Sequence, residues 1–183
     1  IRDRYSQDAS VLNGTIGEMH AKKITNLYDL AMKTGAPVIG LIESAGLRLQ
    51  EATDALNGFG EIYMQQTKAS GVIPQITGIF GTCGGGMAMI PALTDFTLME
   101  EKKAKLFVNS PNAIEGNEIS KCDTSAAEYQ AKEAGLVDFK GSEEDVLAQI
   151  RALVTMLPAN NEDDMSYEEC TDDLNRVCKD LAN

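Results

Sequence analysis

Two apolar runs in this chain each break into a turn of small residues that opens a helix, and this pairing constrains the fold most. The first run, Pro37 to Glu43, leads into Ser44-Ala45-Gly46-Leu47-Arg48; the second, Ile76 to Gly81, leads into Thr82-Cys83-Gly84-Gly85-Gly86. Short continuous apolar runs bounded by glycine read as strands buried on both faces, as in a parallel sheet. A strand that passes through such a turn into a helix exposes the free N–H groups of the helix's first turn. It also lets a ligand approach closer than a Cβ would permit. Those N–H groups and the helix dipole suit a phosphate or a developing oxyanion. Glycine costs roughly 1 kcal/mol relative to alanine inside a helix, so something must require Gly85 and Gly86 to lack side chains.

The remaining periodicity alternates in the same way. Residues 17–33 read as a helix with Ile24, Leu27, Tyr28 and Ala31 on one face. Residues 50–69 repeat that spacing with Ala52, Ala55, Leu56, Phe59, Ile62 and Tyr63. Gly84 to about Ile90 reads as a short helix that Pro91 stops or kinks. Strands are expected at Asp95–Met99, Lys105–Val108 and Leu136–Phe139, and helices at Ala126–Ala134 and, from Ser142, at 143–156. Strands alternating with helices imply an α/β domain with parallel pairing and right-handed crossovers. Leu157-Pro158-Ala159-Asn160-Asn161 reads as a linker, dividing residues 1–157 from an acidic segment, 158–183, that ends in a polar helix from Tyr167 to Leu181.

Charge narrows the function. The chain of 183 residues carries a formal net charge of −12. Nucleic acid and anionic membranes both reward clustered Lys and Arg, so neither is an expected partner. A polyanionic ligand would need a locally basic or amide-built site. Cys83, Cys122, Cys170 and Cys178 form no C-x-x-C pair and have no histidine set beside them, which leaves no zinc site. They read as small hydrophobes in a reducing compartment. No apolar run reaches membrane-spanning length and the N-terminus is not a signal peptide, so a cytoplasmic location is expected.

The motifs then converge on a resemblance. Gly35-Ala36-Pro37-Val38-Ile39-Gly40-Leu41-Ile42-Glu43-Ser44, Arg48-Leu49-Gln50-Glu51, Ser70-Gly71-Val72-Ile73-Pro74-Gln75-Ile76 and Cys83 to Gly86 resemble the biotin-dependent acyl-CoA carboxyltransferases and decarboxylases. Ser6-Gln7-Asp8, His20-Ala21-Lys22-Lys23-Ile24 and Pro91-Ala92-Leu93-Thr94-Asp95-Phe96 extend the match across the chain to about Asn161. The resemblance implies a crotonase-like (ClpP/crotonase) fold of stacked ββα units, here without its first strands. It implies an acyl-CoA thioester as substrate and biotin on a partner carrier domain as cofactor. It implies the amides of Gly85 and Gly86 as the catalytic groups that hold an enolate, with Ser44, Ala45, Gly46, Arg48 and Gly84 placing the CoA. No metal is implied. A second carboxyltransferase domain or subunit, absent here, would supply the biotin half of the site within a homo- or hetero-oligomer.

Two departures stand out. The family pattern Asp-Ser-Gly-Gly-Ala-Arg is here Glu43-Ser44-Ala45-Gly46-Leu47-Arg48, which bears on the acyl group accepted. The chain also lacks the family's second domain, so it reads as the CoA half, either a split subunit or a piece. Decarboxylation of a malonyl-type or glutaconyl-type thioester, or a non-catalytic assembly role, stay open as alternatives. A hydratase of the same fold needs an acid after the glycine turn, where this chain has Met87-Ala88-Met89. A Clp-type protease needs a serine there, and none lies between Gly71 and Val108.

Among single residues, His20 and Cys83 read as packed groups, and Lys22 and Lys23 as solvated. Met87, Met89 and Met99 read as core filler. Arg48 could either clamp a CoA phosphate or tie its turn to Glu43 or Glu51.

Overall fold

The computed structural model of the chain describes residues 3–163, 170–173 and 175–177. Its centre is a six-stranded sheet, parallel at every pairing. The strands are β1 (Asp3–Ser6), β2 (Val38–Ser44), β3 (Gln75–Gly84), β4 (Phe96–Glu100), β5 (Lys105–Phe107) and β6 (Phe139–Gly141). Their order is β1-β2-β3-β4-β6, with β5 also on β3. Cys83 pairs with Ser44 of β2 and with Leu106 of β5, so β5 lies along the same edge of β3 as β4, further on. The step between them is a tight turn in which the Glu100 carboxylate accepts from the N–H groups of Lys102, Lys103 and Ala104.

Helices α1 (Glu18–Thr34) and α2 (Ala52–Ala69) cover one face of the sheet. Ile24, Tyr28, Phe59 and Ile62 pack there against Ile42, Ile79 and Met87. On the other face α5 (Glu143–Met156) sets Val146 and Ile150 against Ile39, Ile76 and Leu98. Its start follows from local chemistry: Ser142 and Asp145 form a reciprocal capping box. The helices α3 (Met89–Ala92) and α4 (Ala127–Lys132) are short.

Both major helices and both buried strands fall where the periodicity predicts them. The differences have local causes. The buried face of α2 is Ala55, Gly58, Phe59, Ile62, Gln66 and Ala69, so Ala52 and Leu56 point to solvent, and a buried glutamine takes an apolar place. β3 is longer than its apolar run and takes in Cys83 and Gly84, because β5 offers hydrogen bonds to that extension. The helix expected from Gly84 divides into a 3-10 turn, Gly85–Ala88, and α3, which contains Pro91. The strand expected at Leu136–Phe139 is displaced to β6.

β1 was not anticipated as a strand; Asp3 to Ser6 alternates with solvent as an edge strand does. The stretch read as a linker is laced under the sheet. Asn160 Nδ2 donates to the Gly35 carbonyl (3.0 Å) and Asn161 N–H to that of Val72 (2.9 Å). Cys83 is buried as expected, whereas Cys122 and Cys170 are exposed. Cys178 and most of the helix expected over Tyr167 to Leu181 lie outside the described residues; 170–173 and 175–177 are not helical.

Candidate active site

The two small-residue turns meet at the C-terminal ends of β2 and β3, where open parallel sheets commonly bind ligands. Beyond Ile42 the register between these strands shifts and Ser44 comes opposite Cys83. Gly46 then sits against the second turn. A Cβ built on it would lie 2.6 Å from the Gly84 carbonyl oxygen, and its φ of 103° is one that L side chains rarely adopt. Backbone touches backbone there, and only glycine allows it.

The first turn is bound into the chain that precedes α1. Ala45 N–H donates to the Asn13 carbonyl (3.0 Å) and Gly46 N–H to Ser44 Oγ (3.2 Å). Ile16 N–H donates to the Gly46 carbonyl and Arg48 N–H to the Ile16 carbonyl, 2.9 Å each. These two bonds form a parallel bridge between Ile16 and Leu47, which turns the N–H of Leu47 away from that segment. Leu47 N–H makes no hydrogen bond among the described residues.

The second turn is held differently. Gly85 takes φ 61° with open space where its Cβ would stand. The Gly84–Phe107 pairing turns Gly85 N–H onto the Phe107 carbonyl of β5, so that amide, expected to hold an enolate, is engaged within the sheet. Gly86 N–H lies in the first turn of the 3-10 segment, whose N–H groups find no acceptor within it, and it donates to no side chain among the described residues. The Gly86 carbonyl, by contrast, accepts from Tyr63 Oη at 2.5 Å. A Cβ on Gly86 would meet that hydroxyl at 3.2 Å and Phe59 at 3.6 Å, so packing against α2 is what excludes a side chain there.

No side chain lining this junction is a ready proton acceptor. Cys83 is fully buried beneath the turn with Sγ 3.5 Å from the Met87 carbonyl, and burial pushes its thiol far above the ordinary value. Burial, and then the neighbouring Cys83, raise the Tyr63 phenol. Met87 is buried and Met99 with it, but Met89 is 44% exposed and is not core filler. No cluster of three metal-binding side chains occurs among the described residues.

Sequence reasoning therefore named residues that the fold brings together: Ser44, Ala45 and Gly46 stand beside Gly84, Gly85 and Gly86. Arg48 is a neighbour of a different kind. Its guanidinium turns back to Glu51 (2.8 Å) and to the carbonyl and hydroxyl of Thr15 (2.7 and 3.4 Å), so it ties the turn to Glu51 and to the start of α1. His20 is half-buried with Nδ1 3.4 Å from the same Thr15 carbonyl, and burial lowers its pKa. Lys22 pairs with Glu18 on the surface (2.6 Å). Lys23 lines a cavity of about 480 Å³ with Tyr5, His20 and Arg48. Sequence reasoning missed Leu47 N–H, since a backbone donor at a bulky residue leaves no trace in composition. It also missed Tyr63 and Gln66, which the helical periodicity hides among core positions.

Residues 3–183 match the carboxyl transferase domain family. The chain belongs to that family. It is 43% identical over 176 residues to the methylmalonyl-CoA decarboxylase subunit alpha of Veillonella parvula, covering 94% of this chain and 35% of that protein. It is 42% identical over 181 residues to the propionyl-CoA carboxylase carboxyltransferase subunit of Haloferax mediterranei, again 35% of that protein. A solved structure of transcarboxylase 12S with methylmalonyl-CoA bound superimposes with a TM-score of 0.84 at 32% identity, over 93% of this chain and 34% of that one. The fold is thus crotonase-like, as the motifs implied. The chain spans about a third of the length of these relatives.

Proposed function

We propose that this carboxyl transferase domain forms the acyl-CoA half of a biotin-dependent carboxyltransferase or decarboxylase. In this reading the N–H groups of Leu47 and Gly86 hold the thioester oxygen as it becomes an enolate, and Gly85 shapes the turn between them. The observation that carries it is the junction itself: two donors, Leu47 N–H and Gly86 N–H, from two turns pressed together at Gly46 and Gly84. Removing one such donor from an oxyanion site typically costs about 3–4 kcal/mol of transition-state stabilisation, so amides alone can carry most of the chemistry.

The donor set fits a CoA thioester and fits biotin as the source of the base. The junction stabilises negative charge on oxygen but offers no side chain to remove a proton, since Cys83 and Tyr63 are both held protonated by burial. Biotin on a partner carrier domain would, when bound beside this site, supply the carboxyl group and the base for the α-proton. This chain binds the thioester and orients its carbonyl with the amides of Leu47 and Gly86. Ser44, Ala45, Gly46 and Gly84 form the wall along which the CoA lies, and Arg48 keeps that wall in place through Thr15 and Glu51.

A propionyl or methylmalonyl thioester is the proposed substrate class. The second half of the site, and so the partner, is a further carboxyltransferase domain or subunit within an oligomer. No helix among the described residues is long and apolar enough to cross a membrane. We place the reaction in the cytoplasm.

Calorimetric titration of the chain with CoA, propionyl-CoA and glutaconyl-CoA tests the reading. Propionyl-CoA should bind more tightly than CoA, because the thioester carbonyl is what the amides recognise. Absence of binding by all three would favour an assembly role.

A further inference from the structure

The second turn raises a mechanical problem. An oxyanion site works when its donors are aimed before the charge develops. Gly85 and Gly86 are the two residues whose backbone torsions are least restricted by their own side chains. Nothing stands within 4 Å of the Cβ position of Gly85, so no neighbour presses on that face of the turn. The turn is held by β5 up to Gly85, through the Gly84–Phe107 pairing, by Met89 N–H, which donates to the Gly86 carbonyl, and from the other side by α2.

Two side chains of α2 reach main-chain carbonyls of the segment after β3. Tyr63 Oη donates to Gly86 O at 2.5 Å, and Gln66 Nε2 donates to Ile90 O at 3.1 Å. Donors three residues apart on one helix face thus grip carbonyls four residues apart on the next segment, a match of helical spacings. Gln66 is itself fully buried and is held in turn: Gln75 Nε2 donates to its main-chain carbonyl (3.0 Å), and Tyr28 donates to Gln75 Oε1 (3.1 Å). The rings of Phe59 and Tyr63, with centroids 5.9 Å apart, form the wall against Gly86. Pinning the Gly86 carbonyl fixes ψ of Gly86. With the Phe59–Tyr63 wall limiting Gly86 from the side, the adjoining Gly85–Gly86 peptide, which carries the Gly86 N–H, loses its freedom to rotate.

We propose that Tyr63 is a positioning residue, which aims the amide of Gly86 by holding the Gly86 carbonyl, with Gln66 as a second hold on Ile90. The role deepens the acyl-CoA reading above and rests on it, but the clamp itself exists in the free chain. The third glycine of the turn is explained by the same clamp: a methyl group at position 86 would press on the Tyr63 hydroxyl.

The test uses the full chain and the variant Tyr63→Phe, which removes one oxygen and keeps the ring. In the free protein, ¹⁵N relaxation of Gly86 should report a rigid amide in the wild type. The order parameter should be near 0.85 there and fall toward about 0.6 in the variant. With propionyl-CoA labelled with ¹³C at the thioester carbonyl, the infrared band of the bound ligand should shift to lower frequency in the wild type. The variant should lose at least half of that shift while its affinity for CoA stays within about threefold. Gln66→Met, read in the same two ways, should loosen Gly86 less, and it decides the question if Tyr63→Phe does not fold. Unchanged amide mobility in the folded variants overturns the clamp. An unchanged carbonyl shift on a loosened turn overturns its positioning role. A wild type that binds no thioester, yet loosens on Tyr63→Phe, removes the acyl-CoA reading and leaves the clamp standing.

Discussion

The turns after β2 and β3 look alike in sequence but are held by different neighbours. In the first, the N–H groups of Ala45, Gly46 and Arg48 all have acceptors inside the chain, and the carbonyl of Gly46 is bound as well. In the second, the carbonyl of Gly86 is bound by Tyr63 and Met89, Gly85 N–H is taken by β5, and Gly86 N–H is left facing the junction. The first turn is thus a wall held from the 13–16 segment, with Leu47 N–H as its one donor left free among the described residues. The other presents the Gly86 donor, supported from behind. A strand followed by small residues signals both equally well, and what separates them is which neighbour reaches the peptide: the 13–16 segment at the first, β5 and α2 at the second.

Substitutions can break this contrast. Gly46→Ala should be the most damaging, because both its φ and the 2.6 Å approach to Gly84 O forbid a side chain, and neither partner is a movable side chain. A loss of about 3 kcal/mol or more is expected, a fall in Tm of roughly 6–12 °C by thermal unfolding. Gly85→Ala meets open space and carries only the conformational cost, about 1–2 kcal/mol. A larger loss at position 85 than at 46 would reverse the assignment of wall and donor.

Next in size is Arg48→Met, which removes the ion pair to Glu51 and the hydrogen bonds to Thr15. It should cost about 1–2 kcal/mol in chemical denaturation, with a weaker effect on CoA affinity than on stability. Gly86→Ala should cost about 1 kcal/mol in the wild type and less in a Tyr63→Phe background, since the obstructing hydroxyl is then gone. Additive losses in that double-mutant cycle would separate Gly86 from the clamp.

The smallest effect sharpens the contrast through pH. Burial, and the charges of Arg48 and Lys23, hold His20 below its ordinary pKa of 6.5 despite the Thr15 carbonyl beside it. A group depressed in the folded state contributes stability that is present above its unfolded pKa and is lost as pH falls through its folded pKa. The support of the first turn should therefore weaken below about pH 6.5, by a degree or two in Tm, and His20→Gln should abolish that component. The second turn rests on Tyr63 and Cys83, whose raised pKa values keep them neutral across the same range.

How much of this was legible beforehand depends on the kind of signal. Continuous apolar runs marked β2 and β3, and 3.6-residue spacing marked α1, α2 and α5, because burial of a whole face leaves a periodic trace. Ser142 announced its helix through capping chemistry. β1 left little trace, since four alternating residues at an edge carry little apolar area. The pairing of the two turns was legible only through resemblance to a family, as no local rule says that Ser44 will stand opposite Cys83. The donors at Leu47 and the clamp at Tyr63 and Gln66 were not legible at all. A main-chain N–H is the same at every residue, and a buried Tyr or Gln in a helix reads as core until its partner is known.

The contrast between the turns is tested most directly by following the backbone amide signals of the full chain during titration with propionyl-CoA. The amide protons of Leu47 and Gly86 should move downfield together as the thioester oxygen engages them, while those of Ala45, Gly46 and Gly85, already bonded within the chain, move little. Saturable binding that shifts Ala45 and Gly46 and leaves Leu47 and Gly86 unmoved would contradict the account.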